Sequence, residues 1–134
     1  MARYLLDTNH LSAALDDMSS LRERLYQSIQ AGHRFGTCVP DLCELETGIH
    51  QTRRRDHNRR ILAVLLRRIR IWPLNPSIAP LYAEIYHDLR ARGRVLSQVD
   101  MVLVALARSM NATLLTSDRD FEALPEPRVE NWLS

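Results

Sequence analysis

Four acids, Asp7, Glu44, Asp100 and Asp118, stand where an α/β fold would collect carboxylates. Asp7 directly follows the apolar run Tyr4-Leu5-Leu6, and Asp118 follows Leu114-Leu115-Thr116-Ser117. Glu44 and Asp100 fall in the opening turns of helices that come after a strand or a connecting loop. In open α/β sheets, ligands bind beyond the carboxyl ends of the strands, and all four positions face that edge. Each acid also has a local explanation. Asp7 can cap a helix, Asp41 with Glu44 has capping-box spacing, and Ser97 with Asp100 has it too. Four carboxylates at one edge nevertheless exceed what capping requires. Like charges this close repel and raise one another's pKa unless a cation neutralises them. A bound divalent metal is the simplest resolution, and an all-oxygen donor set suits Mg²⁺ or Mn²⁺ rather than zinc. The chemistry such a site supports is phosphodiester hydrolysis by a metal-activated water.

Other chemistries are thin. The five His do not cluster, and only His50 and His57, seven apart, could share a helical face. Cys38 and Cys43 lack the spacing of a zinc site and are too few for a disulfide framework, so both are expected as small core residues. All 18 basic residues are Arg, which excludes Schiff-base lysine chemistry and a P-loop. The missing Lys also argues against a phospho-acceptor receiver domain. A phosphatase of the D-x-D type is weakened because Asn9 takes the place of the second acid. Arg binds phosphate bidentately, so an all-Arg chain suits an RNA partner, although genome composition explains the bias equally well.

The elements that must position these residues alternate along the chain. Tyr4–Leu6 reads as a first strand, followed by a short helix from Asn9 to Leu15 and a longer one from Ser19 to Gln30 with Leu21, Leu25 and Ile29 at helical spacing. Phe35–Val39 is a second strand, stopped by Pro40, and Asp41 is expected to cap the next helix. Gly48 lies one turn from Glu44 on the same face, where a missing side chain permits close approach. The stretch from Arg53 to Arg70 carries Ile61, Leu62, Leu65, Leu66 and Ile69 among its arginines. It reads as a basic amphipathic helix or helix pair, either facing RNA or simply a solvated face. Ile69–Leu74 is expected as a third strand, Ile78–Arg92 as a helix, and Ser97 as the cap of a helix running to Met110. Asn111 suits a left-handed C-terminal residue. Thr113–Thr116 is a fourth strand, Arg119–Leu124 a helical turn, and Val129–Leu133 a final strand. This alternation predicts an α/β fold, a single domain over residues 1–134 with a mostly parallel sheet of four to five strands covered on both faces. The hydrophobic share of 46% is ordinary for a soluble domain, and no apolar run reaches the ~20 residues of a membrane span. The N-terminus lacks signal-peptide order, which makes a cytoplasmic location the expectation.

The motifs resemble those of a PIN domain. L-L-D-T-N at the start, Glu44-Leu45-Glu46-Thr47-Gly48, Asp100 to Ala107 with its D-x-x-x-x-A-x-A pattern, and L-L-T-S-D-R-D-F occur in that order over nearly the whole chain. The likeness is strongest to small stand-alone VapC-type toxins, the metal-dependent ribonucleases of toxin–antitoxin pairs. It implies a three-layer α/β/α fold and an Mg²⁺-dependent endoribonuclease in which Asp7, Glu44, Asp100 and Asp118 hold one or two Mg²⁺ or Mn²⁺ ions. It further implies that Thr8 and Asn9 orient Asp7, and that Thr116 supplies the hydroxyl before the last acid. Asp120 competes with Asp118 for the fourth position, because some members carry Asn where Asp118 stands. Asp41 occupies a position where many members have Ser or Thr, adding charge near the site. The resemblance also implies a homodimer and a cognate antitoxin that wraps the toxin and covers the acids, with an Arg or Lys as the natural plug. A housekeeping PIN nuclease of RNA processing and a non-catalytic RNA-binding module are the alternatives. With Asp7 assigned to the metal, helix capping falls to Asn9.

Overall fold

The computed structural model describes residues 1–133, so Ser134 of the expected domain span lies outside it. The chain runs β1 (Arg3–Leu6), α1 (Thr8–Leu15), α2 (Leu21–Gln30), β2 (Arg34–Thr37), α3 (Val39–His50), α4 (Arg55–Leu65), β3 (Arg70–Ile71), α5 (Ile78–Ala91), α6 (Gln98–Met110), β4 (Thr113–Leu115), a 3₁₀ turn (Arg119–Ala123) and β5 (Val129–Glu130). The five strands form one sheet in the order β3-β2-β1-β4-β5, and every pairing is parallel. The fold is therefore the α/β arrangement expected, with a fully parallel sheet.

Side-chain alternation on the central strands divides the core in two. Leu5 and Leu114 point to one face, where α5 and α6 cover them with Ile85, Leu89, Leu103 and Leu106. Leu6 and Leu115 point to the other, beneath Leu11, Leu25, Leu45, Leu62 and Leu65 from α1 to α4. Strands buried on both faces read as near-continuous apolar runs, and Leu5-Leu6 and Leu114-Leu115 do so. The strand order reverses direction at β1, with β2 and β3 on one side and β4 and β5 on the other. The crevice at that switch point lies beyond the carboxyl ends of β1 and β4, the two strands that deliver Asp7 and Asp118.

Several boundaries differ from expectation. β3 is two residues long rather than Ile69–Leu74, because Pro73 and Pro76 offer no N–H and only the Trp72 N–H continues the ladder, donating to Thr37 O at 3.0 Å. β5 likewise stops at Glu130 rather than Leu133, since the Trp132 N–H is drawn away to a histidine ring. Between Arg53 and Arg70 there is one helix, α4, not two. Its apolar stripe of Leu62 and Leu65 is buried while all the arginines of the stretch are exposed, an arrangement that the RNA-facing and solvated-face readings share. Gly36 in β2 is required by close approach: a Cβ there would lie 2.5 Å from Arg70 O and from the Trp72 ring. Asn111 adopts the left-handed conformation expected of it (φ 53°). Cys38 is buried, but Cys43 sits on the exposed face of α3, against the expectation of two core thiols.

Candidate active site

Asp7 is 6% exposed and is the N-cap of α1, its Oδ1 accepting the His10 backbone N–H at 2.8 Å. The capping role assigned to Asn9 is thus corrected. Asn9 already lies in the first turn, because Asp7 comes off β1 with extended backbone angles that present its side chain to the helix start. The same Oδ1 also contacts His10 Nδ1 at 3.0 Å. Capping and a place at the sheet edge are therefore compatible roles for one carboxylate.

Thr8, the next residue, ties Asp7 to α3. Its hydroxyl lies 2.7 Å from Glu44 Oε1 and 3.2 Å from Asp41 Oδ2. Asp41 does not cap the helix, and the capping box expected with Glu44 does not form. α3 begins three residues earlier, at Val39, with Cys38 as its N-cap and Pro40 in the opening turn, where proline's missing N–H costs nothing. Asp41 is instead fully buried, accepting from Cys38 Sγ at 3.3 Å. Burial pushes its carboxyl up to about 7, with the charges of Glu44 and Asp100 adding to it and the Cys38 and Thr8 hydrogen bonds opposing. The hydroxyl of Thr8 has one proton to give. The shorter bond takes it to Glu44, which leaves the Asp41 contact the weaker of the two. Burial, followed by the neighbouring Asp41 charge, pushes the Cys38 thiol up to about 12, which leaves it inert as a nucleophile.

Asp100 occupies the third position of α6, its backbone N–H donating to the Ser97 hydroxyl at 3.1 Å. Its half-buried carboxyl is raised above the ordinary range, first by burial and then by the charges of Asp118, Glu44 and Asp7. Asp100 thus feels the other three acids, which places all four within one electrostatic neighbourhood. Asp118 follows β4, and Oγ1 of the buried Thr116 accepts its N–H at 3.1 Å. Asp120 turns elsewhere, pairing with Arg94 at 2.8 Å. The two candidates for the fourth acid are thereby distinguished by direction: Asp118 adds to the field at Asp100, whereas Asp120 is held by a cation. His50 is exposed and His57 pairs with Asp17 at 3.2 Å, so neither joins the acids.

A cleft of about 450 Å³ opens from Glu44 toward α4, with Asp7, Asp100 and Asp118 outside its lining. Thr8, Asn9 and Glu44 line its inner end, and Thr52, Arg53, Arg54 and Asn58 its outer end. Gly48 lies between them with open space above it, so the missing side chain expected to permit close approach does lie on the cleft. Among the described residues, no three His, Cys, Asp or Glu side chains converge tightly enough to form a ready metal-ligand set. The donor chemistry nonetheless fits a hard cation, since four carboxylates are flanked by hydroxyl and amide oxygens, the His10 imidazole and the Cys38 thiol beside them being taken up by hydrogen bonds to Asp7 and Asp41.

The residue that the sequence reading missed is His10. It is wholly buried and touches Asp7, although its place three residues after an N-cap acid was a usable signal. Its second contact, to Trp132, spans 122 positions and leaves no local trace in the sequence.

The model of the family described as "PIN domain" matches residues 4–127. The chain is 24% identical over 130 residues to Ribonuclease VapC2 of Rickettsia felis, covering 96% of this chain and 97% of that protein. It is 27% identical over 134 residues to Ribonuclease VapC2 of Haemophilus influenzae, covering 99% and 100%. The crystal structure of VapBC2 from Rickettsia felis, bound to a DNA fragment from its promoter, superposes with a TM-score of 0.86 at 24% identity over 97% of this chain and 98% of that one.

Proposed function

We propose that this chain, which belongs to the PIN domain family, is a metal-dependent endoribonuclease of the VapC toxin type. The observation that carries the proposal is the shared field of Asp7, Glu44, Asp100 and Asp118 at the sheet's switch point. Full-length similarity to proteins named Ribonuclease VapC2 supports the same activity. Mg²⁺ or Mn²⁺, held by Asp7, Glu44, Asp100 and Asp118, would lower the pKa of a water and offset charge building on the phosphate. The chain's own residues prepare that chemistry. His10 fixes one oxygen of Asp7, and Thr8 directs its proton to Glu44. Thr116 holds the loop that carries Asp118. No side chain need act as a covalent nucleophile, in keeping with the protonated Cys38.

The acids repel phosphate, so substrate must be held from elsewhere. Arg53 and Arg54, at the outer end of the cleft, supply phosphate contacts one or more nucleotides from the scissile bond. Asn9, Thr52 and Asn58 offer amide and hydroxyl groups to base edges along the way. A homodimer and a cognate antitoxin belong to the same proposal. The Rickettsia felis neighbour is a VapBC2 assembly, and an acidic cleft accepts an inserted Arg from a partner.

The test is cleavage of structured RNA by purified protein with Mg²⁺, repeated with EDTA and with Asp7→Asn. Loss of cleavage under both treatments is expected, and cleavage that survives both would sink the metal–carboxylate mechanism. Coexpression with a small adjacent reading frame, followed by size-exclusion chromatography, tests the antitoxin and the dimer.

A further inference from the structure

We infer that His10 is a positioning residue for Asp7, steered from the far end of the chain by Trp132. The inference rests on the reading of Asp7 as a metal ligand. His10 is 0% exposed, and burying an imidazole is costly unless both ring nitrogens find partners. Both do. The Trp132 backbone N–H can only donate, and it lies 3.2 Å from His10 Nε2, so that nitrogen accepts. The ring proton therefore sits on Nδ1 and is donated to Asp7 Oδ1 at 3.0 Å.

The consequence is an asymmetric carboxylate. Oδ1 receives both the His10 backbone N–H and the His10 ring N–H, while among the described residues Oδ2 receives no hydrogen bond. Saturating one oxygen turns the other outward as the ligand atom and prevents the carboxyl from rotating about its last bond. Nothing in helix capping demands the second donor, because the backbone N–H alone satisfies the cap.

Trp132 is itself immobilised. Its ring packs at 5.4 Å from Tyr4 and 5.6 Å from Phe35, and the Arg24 guanidinium lies 3.7 Å over its face. The clamp thus links the residues after β5 to the acid that follows β1. Outer partners of this kind are typically worth about 10–100-fold in metal affinity.

Three substitutions separate the two bonds. His10→Asn retains a donor near the place of Nδ1 but not the acceptor for Trp132. His10→Gln retains a polar atom near Nε2 but not the donor to Asp7. His10→Phe keeps the ring volume and neither bond. Mn²⁺ binding by RNA-free protein, measured calorimetrically, is the readout, with thermal unfolding in EDTA to report folding. Asn is expected to bind Mn²⁺ within about threefold of the parent, and Gln and Phe about 10–100-fold more weakly. A purely structural role would lower the melting temperature without this ordering. If Phe does not fold, Asn against Gln decides. A Gln variant that binds Mn²⁺ as the parent does, or an Asn variant as weak as Gln, overturns the positioning role alone. A parent protein that takes up no Mn²⁺ overturns the metalloenzyme reading and this inference with it.

Discussion

Replacing Asp41 with Asn should stabilise the protein at alkaline pH and flatten its stability profile. The carboxyl moves from 3.8 in the unfolded chain to about 7 in the fold. The folded state therefore holds a proton that the unfolded state has already released across that interval. Stability from this group is fully present below pH 3.8 and is lost as pH rises through about 7. At 1.36 kcal/mol per pH unit the whole loss is on the order of 4 kcal/mol, large beside the usual 5–15 kcal/mol of a domain. Asn fits the same contacts without the charge. Its Oδ1 accepts from Cys38 Sγ, its Nδ2 donates to Thr8 Oγ1, and Thr8 keeps its proton for Glu44. Urea unfolding in EDTA from about pH 5 to about pH 8.5 measures the difference. Wild-type stability should fall across that range relative to Asp41→Asn, which should be ahead by a few kcal/mol at the alkaline end. Parallel profiles would refute the reasoning. They would mean that Asp41 is ionised throughout and that Thr8 divides its proton between two carboxylates.

Other outcomes follow from the same geometry. Asp118→Asn should lower RNA cleavage by more than about 100-fold and Asp120→Asn by less than about tenfold, because Asp120 is occupied by Arg94. Equal losses in a cleavage assay would reverse that assignment. Arg53→Ala combined with Arg54→Ala, in an Asp7→Asn background that prevents turnover, should weaken binding of single-stranded RNA. It should also reduce the slope of log affinity against log salt by about 1.4, the value for two lost phosphate contacts. An unchanged slope would remove the arginines from the substrate path. Gly36→Ala should cost about 1–3 kcal/mol in chemical unfolding, since the new methyl meets Arg70 O and the Trp72 ring at 2.5 Å. Wild-type stability in that variant would show that β3 yields freely.

The candidate site was legible to different depths. Asp7 and Asp118 could be placed because a strand's apolar run announces its own end, and a parallel sheet sends such ends to one edge. Glu44 and Asp100 could be placed because helix starts have characteristic residue types. The same local habits misled at Asp41, where capping-box spacing suggested a helix cap. Pro40 allows α3 to start at Val39, which turns Asp41 into the interior. The short third and fifth strands were overcalled for a related reason. Apolar residues favour a strand, but whether a ladder continues depends on partners that only the fold brings near.

Local sequence determined what nearest neighbours decide: strand runs, helix periods, the left-handed turn at Asn111, and the order in which four acids reach the sheet edge. Those features depend on backbone sterics and side-chain spacing within a few residues. Tertiary structure alone decided the burial of Asp41, the pairing of Asp120 with Arg94, and the contact of His10 with Asp7. Each depends on burial or on a donor far away in sequence, as Trp132 is from His10. Desolvation and hydrogen-bond direction are properties of the packed interior, and no local pattern encodes them.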